Sequence, residues 1–370
     1  MQSKNTIPCN DSKRLFNKYK KEFEEAALSV LRSGWYVLGE NVKEFEQEFA
    51  ESISSKYCIG VDNGTNAIKL GIQALGIGEG DEVLVQANTY IATVLGITSN
   101  GATPVFVEPN SFHNMDENDV ELRITNKTKA IIVTHLYGQA TKMDKIVNIC
   151  KKHNLYLLED CAQAHYAEYN GKKVGTFGIL GFFSFYPTKN IGAFGDAGAI
   201  VTDNEELYQK LMMLRNYGST VRYHFELENG SNSRLDEIQA ALLRVKIKHA
   251  KEITDEKIAI ANKYLEGIKN PLIKLPIVDN DCSSVWHLFV LEVENREEFV
   301  KHMLNSGVKT DIHYPIPPHL SVCYQCLGHK CGEYPKTEYL ANHVVDLPIF
   351  NGMTQEEIQT VINAVNSYGK

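Results

Sequence analysis

The 370-residue chain lacks any uncharged apolar run near the ~18 residues that a membrane-spanning helix needs, so no span is predicted. Its opening, "MQSKNTIPCNDSKRLFNKYK", has no apolar core of the kind a secretory leader uses, and a cytoplasmic location is expected. Cysteine is sparse: eight residues are scattered through a chain large enough to need no covalent staples. Basic residues form no block and the formal net charge is −8, which argues against a nucleic-acid surface. Two phosphate-binding fingerprints are missing as well. "GIGEGD" follows a helical stretch and precedes a strand, the reverse of the order a dinucleotide turn requires. No Gly-Lys-Ser or Gly-Lys-Thr run is present to cradle a nucleoside triphosphate.

What is there is a chain 43% hydrophobic and 23% charged, enough for one large domain and a smaller one. The runs "DEVLVQA", "PVFVE", "AIIVTHL", "LYLLED", "FFSFY" and "AIVTD" read as buried strands. Helical stretches such as "NAIKLGIQAL" and "MDKIVNICKKH" lie between them, so the pattern predicts an α/β domain with a mainly parallel sheet over about 63–215. After it, "NSRLDEIQAALLRVKIKHAKEITDEKIAIANKYLEGI" reads as one long helix, and the remainder as a smaller α+β domain. The expected division is residues 1–250 and 251–370.

Four features carry chemistry. In "SFYPTKNIGAFGDAGAIVTD", Lys189 sits between an apolar run and a glycine-rich turn. A lysine desolvated there has its ammonium disfavoured and its amine free to act as nucleophile or base; the plainer alternative is a strand-end lysine reaching to water. "LYLLEDCAQAH" ends an apolar strand with Glu159 and Asp160, at the carboxyl edge where ligands of parallel sheets gather, although a turn or cap aspartate reads the same way. "VDNGTNAIKLGIQAL" places Gly64 and Thr65 ahead of a helix, whose free N–H groups suit an anion; Thr65 or Asn66 acting as a simple cap is the commoner arrangement. "ANTYIAT" supplies Tyr90 as an aromatic lid. Amine, acid, phosphate cup and lid together fit one cofactor, pyridoxal 5′-phosphate. "CYQCLGHKC" brings Cys323, Cys326, His329 and Cys331 close in sequence, but no second ligand pair follows, so a surface loop is expected and no metal site.

In that order, "NGTNA", "ANTYIAT", "EDCAQAH", "SFYPTKN", "GDAGA" and "NSRLDEIQAA" resemble the DegT/DnrJ/StrS family of pyridoxal-phosphate nucleotide-sugar aminotransferases. The resemblance implies the fold-type-I, aspartate-aminotransferase-like architecture. It implies that Lys189 bonds the cofactor, Asp160 meets the pyridine nitrogen, Gln163 the ring hydroxyl, and Tyr90 the ring face. Gly64, Thr65 and Ser184 would hold the phosphate, with Asn232 reaching across a homodimer so that the active sites are shared. Sugar dehydratases of the family carry histidine where this chain has Lys189, which favours transamination from glutamate. "RNYGS" and "DIHYPIPPHL" resemble the branch that makes 3-amino-3,6-dideoxyhexoses on dTDP, for bacterial surface glycans or secondary metabolites. His313, Tyr314 and His319 are then the expected contacts to the keto-sugar nucleotide. Amination at C4, or a non-catalytic regulatory protein on the same fold, are the alternatives. Glu292 stands where many members have arginine, and "IPCNDSKR" where they have a more apolar opening.

Overall fold

The structure is a computed structural model that describes residues 6–369. Strands β1 (Tyr57–Val61), β2 (Glu82–Gln86), β3 (Thr103–Val107), β4 (Thr128–Thr134) and β5 (Tyr156–Asp160) are followed by a small hairpin, β6 (Glu168–Tyr169) and β7 (Lys172–Lys173). Two further strands, β8 (Leu180–Ser184) and β9 (Gly198–Thr202), complete a seven-stranded sheet in the order β1-β9-β8-β5-β4-β2-β3. The run β8-β5-β4-β2-β3 is parallel, and β9 alone runs antiparallel to both its neighbours. Helices cover both faces, which is why these strands are almost continuously apolar. The α/β architecture is as expected. Within this sheet one strand escaped the sequence reading: β1, "YCIGV", which follows almost directly on the helical stretch "NVKEFEQEFAESI".

A second core forms around β10 (Ile273–Lys274), β11 (Phe289–Val293) and β12 (Val344–Leu347), an antiparallel sheet in the order β10-β11-β12. Helices Arg296–Asn305 and Gln355–Ser367 pack on it through Phe299, Met303, Val361 and Val365. The start of the chain belongs to this core too. Ile7 is buried there and pairs in parallel with Val308, through Ile7 N to Gly307 O at 2.9 Å and Lys309 N to Ile7 O at 2.9 Å.

The single long helix expected after residue 231 is two, Glu237–Lys248 and Ala250–Gly267, broken at His249. The His249 ring stacks on Tyr19 at 4.1 Å and its Nε2 lies 2.9 Å from Glu22, so contacts with the first helices hold the break open. The second of these helices runs from the large sheet's core into the smaller one, burying Ile253 in the first and Ile260, Ala261 and Tyr264 in the other.

Candidate active site

Strands β4, β5 and β8 end at a cleft of about 750 Å3 between the two cores. It is lined by Gly64, Thr65, Tyr90, Asp160, Gln163, Ser184 and Lys189 from the large sheet's side, and by His313 and Tyr314 from the other.

The floor is set by side-chain alternation. Glu159 and Asp160 are adjacent on β5 and so point to opposite faces. Asp160 faces the cleft, where Thr93 Oγ1 donates to Oδ2 at 2.7 Å and the Ala162 N–H donates to Oδ1 at 3.1 Å. Thr93 is fixed in turn by Thr89 at 2.9 Å, which reaches Thr134 at 3.0 Å. Burial pushes the Asp160 carboxyl above its ordinary value, opposed by these two donors and by Lys189. Glu159 turns the other way and accepts three backbone N–H groups, from Gly175, Phe177 and Gly178, each at 2.7 Å. His135 Nε2 is 3.1 Å from it, while His135 Nδ1 accepts from the Thr141 N–H at 3.0 Å, which puts the ring proton on Nε2. His135, Glu159 and Cys161 are the one group among the described residues whose donor atoms converge as metal ligands could. Glu159 and His135 Nδ1 already accept protein N–H groups and the Cys161 thiol points at the Glu159 carbonyl oxygen at 3.9 Å, so the three read as a buried brace for the 175–178 turn.

Lys189 reaches the floor from the turn after β8. Its Nζ lies 3.4 Å from His287 Nε2. Burial lowers its pKa to about 8, with the Asp160 charge pulling the other way. The amine is thus far easier to deprotonate than a surface lysine. His287 is buried, its pKa held well below the usual histidine value by burial and by the two nearby lysines, Lys189 and Lys257. Two of the glycines after Lys189 let backbone pass close to backbone. A Cβ on Gly192 would fall 2.5 Å from the Pro187 carbonyl oxygen, and one on Gly198 would fall 2.5 Å from the Asn63 carbonyl carbon.

That second contact seats the anion cup. Helix Gly64–Ala74 starts in the cleft, capped by Asn63, whose side chain accepts from the Asn66 N–H at 2.8 Å. The cap is therefore neither Thr65 nor Asn66; it takes the Asn66 N–H and leaves those of Gly64 and Thr65, at the very start of the helix, for a ligand. A Cβ on Gly64 would lie 2.7 Å from Ser184 Cβ, so only glycine lets the turn rest against the end of β8. The cup, the acid and the amine are the donor set that pyridoxal phosphate requires.

The remaining predicted residues divide. Tyr90 is half exposed and its ring lies 5.1 Å from that of Tyr314, which takes a hydrogen bond from Gln163 Nε2 at 2.9 Å. Gln163 Oε1 accepts from the Tyr137 N–H at 2.7 Å, so one Nε2 hydrogen is left for a ligand. His313 is held by Asp346, a buried carboxylate on β12 that bonds its Nδ1. His319 is not in the cleft. The Pro318–Leu320 turn drives it into a packed cluster with Phe106 and Tyr334, ring centroids 6.0 and 4.7 Å away, so it is corrected from sugar contact to core residue. Asn232 is likewise away from the cleft of its own chain; it is exposed and bridged to Asn216. Glu292 faces no ligand either, since it pairs with His113 at 3.0 Å and Lys274 at 2.7 Å. Sequence reasoning passed over Thr93, His287, Asp346 and Cys9, all of which line this cleft.

The family model for DegT/DnrJ/EryC1/StrS aminotransferases matches residues 17–366. The chain belongs to that family. It is 50% identical over 364 residues to the dTDP-3-amino-3,6-dideoxy-alpha-D-galactopyranose transaminase of Aneurinibacillus thermoaerophilus, covering 98% of this chain and 99% of that one. Among solved structures it superposes on S. venezuelae DesV in complex with a ketimine intermediate, with TM-score 0.95, 42% identity and 98% coverage of each chain. NtdA of Bacillus subtilis, solved with bound cofactor PMP, gives TM-score 0.91 at 30% identity, covering 98% of this chain and 85% of that one. This aminotransferase thus carries its family's fold over nearly its whole length.

Proposed function

We propose that this aminotransferase moves an amino group from glutamate to C3 of a dTDP-linked 3-keto-6-deoxyhexose, using pyridoxal 5′-phosphate held on Lys189. The observation that carries the reading is the pairing, across one cleft floor, of an amine whose pKa is lowered to about 8 with the buried carboxylate of Asp160. The sugar and its nucleotide come from the relative's substrate, at 50% identity over nearly the full length of both chains.

The cofactor, when bound, supplies a ring that accepts the electron pair left as a proton leaves the carbon bearing nitrogen. Asp160 holds a proton at the ring nitrogen, and Thr93 and Ala162 keep its carboxylate aimed at that position. The first-turn N–H groups at Gly64 and Thr65, with Ser184, take the phosphate. The Lys189 amine would take a proton from the donor's Cα and return it, work for which a pKa lowered to about 8 is suited. Tyr90 and Tyr314 wall the ring side, and His313, positioned by Asp346, faces the sugar.

In the same reading the division at residue 250 separates a part that carries the cofactor from 251–370, which closes over the sugar. The chain's first described residues, Ile7 and Cys9 among them, are joined to that second part, and two copies share their sites. Lys189 is the one lysine or arginine lining the cleft among the described residues, which is little positive charge for a dianionic phosphate. Asn232 is bridged to Asn216 and lies beside exposed Tyr217, whose N–H donates to the Ser231 carbonyl at 2.9 Å; with Tyr223 and Phe225, also exposed, the 217–225 stretch offers aromatic surface suited to a second copy. The reaction belongs in the cytoplasm, in the making of surface or secondary-metabolite sugars. Incubation with glutamate and a panel of dTDP-keto-deoxysugars tests the reading. A 3-amino product by mass spectrometry and NMR is expected; a 4-amino product, or no consumption of glutamate, overturns it. A fully active monomer would remove the shared site.

A further inference from the structure

Helix Ala250–Gly267 buries Ile253, Ile260, Ala261 and Tyr264, which recur at helical spacing along one face. Lys257 sits on that face, where the pattern calls for an apolar side chain, and is only 3% exposed. Its hydrogen bonds go to neutral acceptors rather than to a carboxylate: Asn190 Oδ1 at 2.9 Å and the His287 carbonyl oxygen at 3.2 Å. An amine buried without a counter-charge is costly, and its pKa is lowered to about 7 by burial and by the proximity of Lys189. A helix needing only volume at this point would carry leucine or methionine.

The two acceptors explain the choice. Asn190 is the residue after Lys189, and its own Nδ2 donates to the Val285 carbonyl at 2.7 Å. His287 is the residue whose Nε2 lies against Lys189 Nζ, and its Nδ1 is buried without a partner. Lys257 therefore ties the loop that carries the reactive amine to the 285–287 segment entering β11. The titratable groups that interact with Lys189 are Asp160 and His165 from β5 and the turn after it, His287 before β11, His313 from the far wall, and Lys257 beneath.

We propose that Lys257 is a positioning residue: from a helix outside the cleft it fixes Asn190 and His287 and so sets where Lys189 Nζ meets the cofactor. The proposal rests on Lys189 being the cofactor-bonding amine, and its test separates the two. Cofactor-free wild type, Lys257→Met and Lys257→Arg are compared in thermal midpoint, in dissociation constant for pyridoxal phosphate read from its visible absorbance, and in borohydride-fixed adduct on Lys189. Methionine preserves length and apolar volume, so the Lys257→Met protein should melt no lower than wild type. It should bind the cofactor about tenfold more weakly, the factor one well-made hydrogen bond is worth. Arginine keeps a long donor and should restore affinity to within about threefold of wild type. Wild-type affinity in Lys257→Met, or no advantage of arginine over methionine, overturns the positioning role. So does a methionine variant that fails to fold while the arginine variant folds, because Lys257 would then serve stability alone. A wild-type protein that takes up no pyridoxal phosphate overturns the reading of Lys189 itself, and the role given to Lys257 with it.

Discussion

The floor and the far wall of the cleft are built on different terms. Floor residues leave the carboxyl ends of neighbouring parallel strands or the turns that follow, so each side chain's direction is settled within a few residues of its own. The far wall is assembled from pieces distant in the chain. Asp311 pairs with Asp346 through its backbone, Tyr137 OH bonds the His313 carbonyl, and Cys9 arrives from the opposite end of the sequence. A site made this way can keep one chemistry on the floor while its wall is rebuilt for other substrates, since changes to the wall need not disturb β5 or β8.

That contrast can be broken most severely at the floor. Lys189→Ala should abolish turnover, by about a thousandfold or more, and remove the borohydride-fixed adduct. Asp160→Asn should leave the cofactor bound but lower kcat by about a hundredfold or more, read in steady-state assays on protein of measured cofactor content. Substantial turnover in either variant would mean the floor does not carry the reaction.

The wall should respond differently. Asp346→Asn keeps the size of the side chain but weakens its hold on His313, whose pKa Asp346 helps raise against the effect of burial. The expected outcome is a KM for the sugar nucleotide raised about tenfold, with kcat and the cofactor's absorbance nearly unchanged. A fall in kcat with unchanged KM would move His313 from substrate positioning into the proton transfers.

The smallest effect sharpens the same comparison through pH. Lys189 has its folded-state pKa lowered from 10.5 to about 8, so between those values the unfolded chain binds more protons. Stability of the cofactor-free protein should therefore rise with pH across that window, and at pH 7 the buried amine is a net cost. Lys189→Met should raise the cofactor-free thermal midpoint at pH 7 by a few degrees, less at pH 10. An equal gain at both pH values would show that the amine is not held in a desolvated state.

The same division governs what could be read from the residues alone. Asp160, Lys189 and the Gly64 turn were legible because strand alternation, an apolar approach and a helix start are local signals. Glu159 and Asp160 look alike in the sequence, and only their opposite faces separate brace from site. His319 misled because its neighbours in "DIHYPIPPHL" do reach the cleft, whereas the turn that drives it inward depends on packing against Phe106 and Tyr334. Asp346 gave no signal: one acid in "VVDLPIF" acquires meaning only beside a histidine 33 residues earlier. Lys257 does leave a trace, a charge on the apolar stripe of a helix, but a helical pattern this long absorbs one charged residue without losing its period.

The pairing of Ile7 with Val308 has a practical side for anyone handling the enzyme. Cys9 and Asn10 line the cleft only two and three residues further on, so this stretch of chain is itself part of the cleft wall. An amino-terminal extension should therefore be removed before the sugar specificity of any preparation is compared.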